Sequence, residues 1–414
     1  MNYFCIEHYK NKLVIIFKKI ILNKLIILKI ILIITLIIKI IINVNKKYDQ
    51  LNINEINEMQ DFININLNMN LIDSNYKPQK SLNPKISVII SIYNGEPYLK
   101  TALRSIQNQD FKDIEIIMVD DHSKDNSVTL IKELMKEDPR IKFLQNDENK
   151  GALYTKTKGV LNSKGKYVLT LDVDDLYISR NAFTTLYKES EKDNLDLLGF
   201  SIIICNRNIT NKSLTIHHYW KTPLLFQPKV SYMMYKFGFN GHPIRVGDVI
   251  SCYFMKRKLF VESIKSIGNE YLNKKIIHHD DFFCFFMMSR KARNLKQIRK
   301  PLYLVLLREQ DNNTLINLHN KEKLELHQKH GCLSYLYYIE FLLKTTDNCF
   351  KDKKIASMEL ENWYLDHYCI NDNFSKKQGI YTCKLFLENQ YIDDNIKNKI
   401  KKFLHINDNI TYKS

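Results

Sequence analysis

Four short apolar runs between Lys85 and Asp175, separated by stretches of helical spacing, constrain the fold more than any other feature of this chain. Ile86–Ile92, Ile114–Val119, Ile141–Gln145 and Tyr167–Leu171 each read as a buried strand. Between them, Gly95–Gln109, Asn126–Lys136 and residues 152–162 read as helices; in the first, Leu99, Ala102, Leu103 and Ile106 share one face. Strands alternating with helices predict a parallel sheet with helices on both faces. Ligands of such sheets bind beyond the carboxyl ends of the strands. Two of these ends are acidic: Asp120-Asp121 after the second strand, and Asp172-Val-Asp174-Asp175 after the fourth.

Carboxylates crowded at strand ends repel one another unless a cation or a hydrogen-bond donor stands between them. Asp172, Asp174 and Asp175 offer the hard oxygen ligands that suit Mg²⁺ or Mn²⁺, ions that commonly bridge to a diphosphate. The plainer alternative is an acidic turn in which Asp175 caps the next helix. No GxGxxG follows the first strand, and neither GxxxxGK[ST] nor GxSxG occurs. Dinucleotide, P-loop and α/β-hydrolase readings therefore lack their signatures. The eight cysteines form no CxxC pair, which removes zinc-knuckle spacing.

The formal net charge is +17, which invites a nucleic-acid or membrane partner. Residues 1–50 hold nine Lys against Glu7 and Asp49. Within them Leu25–Ile42 is Ile or Leu except at Lys29, Thr35 and Lys39, close to the ~20 residues that cross a bilayer. The lysines mark no single polar face, which disfavours a surface helix, and no Ala-x-Ala site follows, which disfavours a cleaved signal. The expected organisation is a cytoplasmic tail (1–19), a transmembrane anchor (20–43) and an Asn-rich stem (44–84). Lysine is denser before the span than after it, which predicts a single-pass type II arrangement in the Golgi or ER. No basic-aromatic motif supports a nucleic-acid partner.

The residues resemble the family 2 glycosyltransferases with the GT-A fold. Ser87-Val-Ile-Ile-Ser-Ile-Tyr-Asn-Gly-Glu96 is similar to that family's opening motif, and Val119-Asp-Asp-His-Ser-Lys-Asp125 to its second. Asn149-Lys-Gly151 is similar to the N-x-G turn, and Leu171-Asp-Val-Asp-Asp175 to the metal motif. The resemblance implies a Rossmann-like mixed sheet flanked by helices, with residues 85–200 binding a nucleotide sugar and 201–314 the acceptor. It implies that Tyr93, Glu96, Asp120 and Asp121 line the nucleotide pocket and that Asp172 meets the ribose. Asp174, supported by Asp175, would hold a divalent cation, Mn²⁺ or Mg²⁺, on the diphosphate. The chain departs from the pattern at Ser91 (usually Pro), at His122 (usually Gly) and at Thr155-Lys156-Thr157 (usually Ala-Arg-Asn). Lys156 keeps a positive charge for the donor without the bidentate guanidinium.

Ile277-His-His-Asp-Asp-Phe-Phe283 sets two carboxylates beside aromatics, a setting that raises carboxyl pKa values and suits a general base. The resemblance puts the base here, Asp281 first and Asp280 second; the alternative is a helix N-terminus carrying acids that favour the dipole. His278 and His279 read as ordinary polar residues, and Cys284 to Met288 as core. Pro301–Arg308 is similar to the late strand and basic loop that closes over the donor in that family. The resemblance implies that Arg308 neutralises the leaving diphosphate, the alternative being a surface arginine at a strand end. Residues 315–414 are polar and helix-rich. The expected activity is transfer of a hexosyl or N-acetylhexosaminyl group from a UDP-linked donor to a glycan, protein or lipid hydroxyl with inversion. Its rivals are an inactive membrane-anchored binding protein on the same fold and a cytosol-facing transferase acting on a lipid phosphate.

Overall fold

The computed structural model describes residues 78–206, 214–217, 222–226, 250–277 and 280–307, with single helical positions between 334 and 401. The proposed tail and anchor, most of the stem, His278, His279 and Arg308 lie outside the described residues. Among the described residues no helix is long and apolar enough to cross a membrane.

The first half alternates as its apolar pattern predicts. Strand β1 (Ile86–Ile92) leads through α1 (Glu96–Gln107) to β2 (Ile114–Asp120). Helix α2 (Ser127–Glu137), β3 (Ile141–Gln145), α3 (Ala152–Leu161) and β4 (Tyr167–Asp172) follow. Strands β1 and β2 are buried along nearly their whole length, which is why they read as continuous apolar runs rather than alternating ones. Helix α1 starts cleanly because Pro97 occupies its first turn with the acid Glu96, and it ends beside Arg104. Its Leu99, Ala102, Leu103 and Ile106 are the buried face.

Strands β1 to β4 are parallel, in the spatial order β3-β2-β1-β4. The register sets Ile92 opposite Asp120 on one side and Ser91 opposite Asp172 on the other. The two acidic strand ends therefore flank the carboxyl end of β1.

Beyond β4 the sheet becomes mixed. The chain runs through β5 (Leu176–Tyr177), α4 (Ala182–Lys192), β6 (Leu197–Asn206), β7 (Leu214–His217) and β8 (Thr222–Phe226). A 3-10 turn (Ile250–Cys252) precedes β9 (Tyr253–Lys256), α5 (Arg257–Ile267) and α6 (Asn269–Leu272). Helix α7 (Asp280–Lys291) and the long β10 (Asn294–Leu307) complete it. Strand β9 is antiparallel to both β4 and β6, β10 is parallel to β6, and β5 pairs antiparallel with β10 through Tyr177 and Tyr303. This mixed sheet flanked by helices has the architecture the motifs imply.

Helix α7 is buried from Phe282 to Ser289, so it has no wide solvent face and packs as core. The rings of Phe282, Phe283 and Phe286 meet Tyr338 and Phe341, so positions of the C-terminal region cover the helix that begins with Asp280 and Asp281. The acids at its start and Arg290 and Lys291 at its end both suit the helix dipole.

One turn joins the two halves. Gly151 has φ +89° and ψ 169°, a region open essentially to glycine alone, and a Cβ there would lie 2.4 Å from the Ile276 carbonyl oxygen. Gly151→Ala is expected to destabilise the protein by about 2–4 kcal/mol, combining backbone strain with a backbone clash. The check is the denaturant midpoint at unchanged slope; an unchanged midpoint would show that this turn can relax.

Candidate active site

The loops after β1 and β2 are stitched together. The Asn94 backbone N–H donates to Ser123 Oγ (2.9 Å), and the Lys124 N–H donates to Asn94 Oδ1 (2.8 Å). Glu96 accepts from the Asn126 backbone N–H (3.1 Å) and from its side-chain amide (3.1 Å). Glu96 thus holds the start of α2 against the β1 loop, while Tyr93 beside it is 46% exposed. Asn94 (φ 51°) and His122 (φ 62°) both take left-handed backbone, which explains why glycine suits the His122 position.

Asp120 and Asp121 are adjacent in sequence but differ in what they meet. Both oxygens of Asp121 are engaged: Oδ1 accepts from Asn146 Nδ2 (2.8 Å) and the Lys150 N–H (2.7 Å), Oδ2 from the Gly151 N–H (2.8 Å). Asp121 braces the Asn-Lys-Gly turn. In Asp120, Oδ2 accepts from the Ser123 N–H (3.1 Å) and Gln145 Nε2 (3.3 Å). Its Oδ1 is buried without a hydrogen-bond partner among the described residues. A buried carboxylate oxygen of that kind calls for a donor from outside the chain.

The metal motif divides in the same way. Asp175 is buried, accepting from the Tyr303 hydroxyl (2.9 Å) and the Leu306 N–H (3.2 Å). Burial, then the charges of Asp174 and Asp172, push its carboxyl well above the usual range, and the two donors only partly offset this. Tyr303 also accepts from the Asp172 N–H (3.2 Å), so one phenol on β10 grips both ends of the Asp172–Asp175 turn. Tyr303→Phe is expected to cost about 1–3 kcal/mol, because the Asp175 carboxylate loses its buried donor. Urea unfolding of the variant measures it; a loss within error would mean that the turn holds itself.

Asp172 itself is more open, and its Oδ1 accepts from Ser91 Oγ (3.3 Å). Asp174 is half-buried in the same turn. Among the described residues no group of three or more His, Cys, Asp or Glu side chains is arranged to hold a metal ion. With Asp175 committed to Tyr303 and Leu306, the chain offers Asp174, with Asp172 nearby, as carboxylates for a cation. That donor set fits Mg²⁺ or Mn²⁺, which usually bind through one or two carboxylates and complete their shell with water and phosphate oxygens.

The Asp280-Asp281 pair stands in the first turn of α7 and points at Lys156 of α3. Lys156 Nζ lies 2.9 Å from Asp280 Oδ2, 3.1 Å from Asp281 Oδ1 and 3.4 Å from Asp172 Oδ1. Burial works against the charge of Lys156, but the three carboxylates outweigh it and lift the ammonium well above its ordinary value. Asp281 Oδ2 accepts from the Ile250 N–H (3.0 Å). Burial raises the Asp281 carboxyl, Lys156 pulls it back, Asp280 and Asp172 push it up again, and it comes to rest at about 8.

The structure thus gathers Asp172, Lys156, Asp280 and Asp281 into one cluster and sets Asp120 and Asp174 at neighbouring strand ends. It turns Glu96, Asp121 and Asp175 toward the protein. Sequence reasoning missed Tyr303, Asn146 and Ser91. Ser91 was visible as a departure from the family's Pro; Tyr303 and Asn146 carried no signal.

The model of glycosyl transferase family 2 matches residues 87–293, half of the chain, and the chain belongs to that family. A Campylobacter jejuni protein named GalNAc(5)-diNAcBac-PP-undecaprenol beta-1,3-glucosyltransferase is 37% identical over 130 residues, which make up 31% of this chain and 42% of that protein. The glycosyltransferase EpsJ of Bacillus subtilis is 24% identical over 244 residues, 59% of this chain and 66% of its own length. The chain spans less than two thirds of either relative. The fold is similar to that of S. aureus TarS 1-349 in complex with UDP-GlcNAc, with a TM-score of 0.51 at 15% identity, over 75% of this chain and 82% of that one.

Proposed function

We propose that this protein transfers a sugar from a nucleoside-diphosphate sugar, UDP-linked, to an acceptor hydroxyl with inversion, and that Asp281 is the general base. The observation that carries the reading is the meeting of the half-buried Asp281 with Asp172, the end of the central strand β4, across Lys156. A base and a donor-side carboxylate converge there on a single point.

In this mechanism Asp120 Oδ1 accepts a nucleobase N–H, Tyr93 lines the pocket mouth and Asp172 accepts from the ribose. Asp174 is the carboxylate that would hold a divalent cation, whose chemistry when bound is to offset charge on the departing diphosphate. Asp281 takes the proton of the acceptor hydroxyl. The freed oxygen pair forms the new bond to the anomeric carbon as the bond to the diphosphate oxygen breaks, and the nucleoside diphosphate leaves with that pair. One displacement inverts the centre, and no covalent intermediate is needed. Arg308 would face the leaving group.

TarS has been solved with UDP-GlcNAc, which favours a UDP-linked donor here. The Campylobacter relative bears the name of an enzyme acting on a diphospho-undecaprenol glycan, which favours a lipid-linked acceptor as the second reading. Residues 20–43 would anchor the body to a membrane, type II in the first reading and cytosol-facing in the second. Protease protection of the body in sealed vesicles separates the two.

The test of the reaction is a donor screen on the full chain, detecting release of each nucleoside diphosphate with Mn²⁺ or Mg²⁺. UDP release from a UDP-sugar is expected. Binding of UDP without release from any donor would favour an inactive binding protein instead.

A further inference from the structure

We infer that Lys156 is a positioning residue, which fixes the Asp281 carboxylate for the acceptor and ties it to the end of β4 rather than binding the donor. The inference rests on the proposed transfer reaction and assigns Lys156 a part in it.

Lys156 is only 5% exposed, and its ammonium faces Asp280, Asp281 and Asp172 at 2.9, 3.1 and 3.4 Å. An ammonium has three donors and no acceptor, and three carboxylates are at hand to take them. Reaching a diphosphate would break contacts that the largely enclosed Asp280 and Asp281 need. A planar guanidinium would engage one or two of these carboxylates in its fork; a compact ammonium can serve as the common point of all three.

Asp281 is held on both sides, Oδ1 by Lys156 and Oδ2 by the Ile250 N–H of the turn before β9. Its swing about the side chain is arrested. The groups facing it are Lys156 from α3, Asp172 from β4, Asp280 and Cys284 from α7, and the Ile250 amide. Lys156 is the one cation among these described residues. Among them three carboxylates share it, so the cluster they form is under-neutralised. Buried ion pairs seldom repay their desolvation, and an under-neutralised one serves stability poorly. Such an arrangement beside the carboxyl end of β4 marks a working site.

The test compares Lys156→Met and Lys156→Arg with the wild-type full chain. Positioning predicts that Lys156→Met lowers kcat by about tenfold to a hundredfold, as misplacement of a reacting group does. The Kd for UDP with Mn²⁺ stays near wild type. The acidic limb of kcat/KM moves up by about one pH unit, because the nearby cation has been removed. Lys156→Arg restores the limb and only part of kcat.

A weakened UDP Kd with an unmoved limb would make Lys156 a donor ligand and overturn the inference. Unchanged kcat and limb would overturn it too. If Lys156→Met does not fold, Lys156→Met/Asp280→Asn removes one charge of each sign. Its kcat should fall as far with the Kd for UDP held, while the limb moves by less than in Lys156→Met, because the push of Asp280 is lost together with the pull of Lys156. An unchanged kcat in this double variant overturns the inference. If wild type releases no nucleotide from any donor, the transfer reading fails on its own account. The carboxyl band of Asp281, from wild type minus Asp281→Asn infrared difference spectra, then reads the same shift without turnover, and a band that does not move between wild type and Lys156→Met overturns the inference.

Discussion

Asp281→Asn is expected to lower kcat by about a thousandfold while leaving the Kd for UDP nearly unchanged, in line with the rate that a positioned base supplies. The substitution is close to isosteric. An asparagine oxygen can still accept from the Ile250 N–H that Asp281 meets at 3.0 Å, so backbone and cluster geometry survive. What is lost is the ability to take a proton and the negative partner of Lys156. The pH profile adds a second signature. Burial pushes the Asp281 carboxyl up to about 8, and only the carboxylate works as a base. Wild-type kcat/KM should therefore fall as pH drops through about 8, far above the ~4 of a free aspartate, and the residual activity of Asp281→Asn should lack that limb. Stability runs the opposite way. The folded carboxyl binds its proton more tightly than the unfolded one, so its stabilising contribution is complete below about pH 4 and is lost as pH rises through about 8. Asp281→Asn should gain melting temperature over wild type as the pH is raised across that window, in donor-free and metal-free buffer. Surviving activity with an intact limb would place the base elsewhere, with Asp280 the next carboxylate to replace.

The first half of the fold could be read closely because its signals are local. The apolar runs of β1 to β4 are each a few residues long, and all four strands fall within a residue of where periodicity puts them. Asp120 and Asp172 were legible as strand ends for the same reason. The destinations of the side chains were not. Nothing local says that Asp175 turns to Tyr303, since the two lie far apart in sequence and meet only because β5 pairs with β10. Lys156 read as a donor cation because its immediate neighbours were the donor motifs; its partner Asp281 is 125 residues away. Asp121 read as a pocket residue beside Asp120, but the Gly151 turn folds back and takes up both its oxygens. Motifs name residue types, while long-range pairing decides which carboxylate keeps an oxygen free.

That division sets the last prediction. Asp174→Ala is expected to weaken UDP binding in Mn²⁺ at least about tenfold, the loss that even outer-shell partners of a metal cause. In the absence of metal, wild type and variant should bind UDP alike, because Asp120 and the rest of the nucleotide pocket are untouched. Asp175→Ala should behave differently, although it is the neighbouring acid of the same motif. Its oxygens serve Tyr303 and the Leu306 N–H, so removing them leaves two buried donors unpaired and should cost about 2–5 kcal/mol of stability. Calorimetric titration with UDP, with and without Mn²⁺, and urea unfolding of both variants give the two readouts. A wild type whose UDP affinity ignores the metal would sink the role given to Asp174. If Asp174→Ala unfolds the turn and Asp175→Ala spares it, the assignment of the two acids is reversed, because of the pair it is Asp175 whose carboxylate Tyr303 and the Leu306 N–H hold in the buried turn.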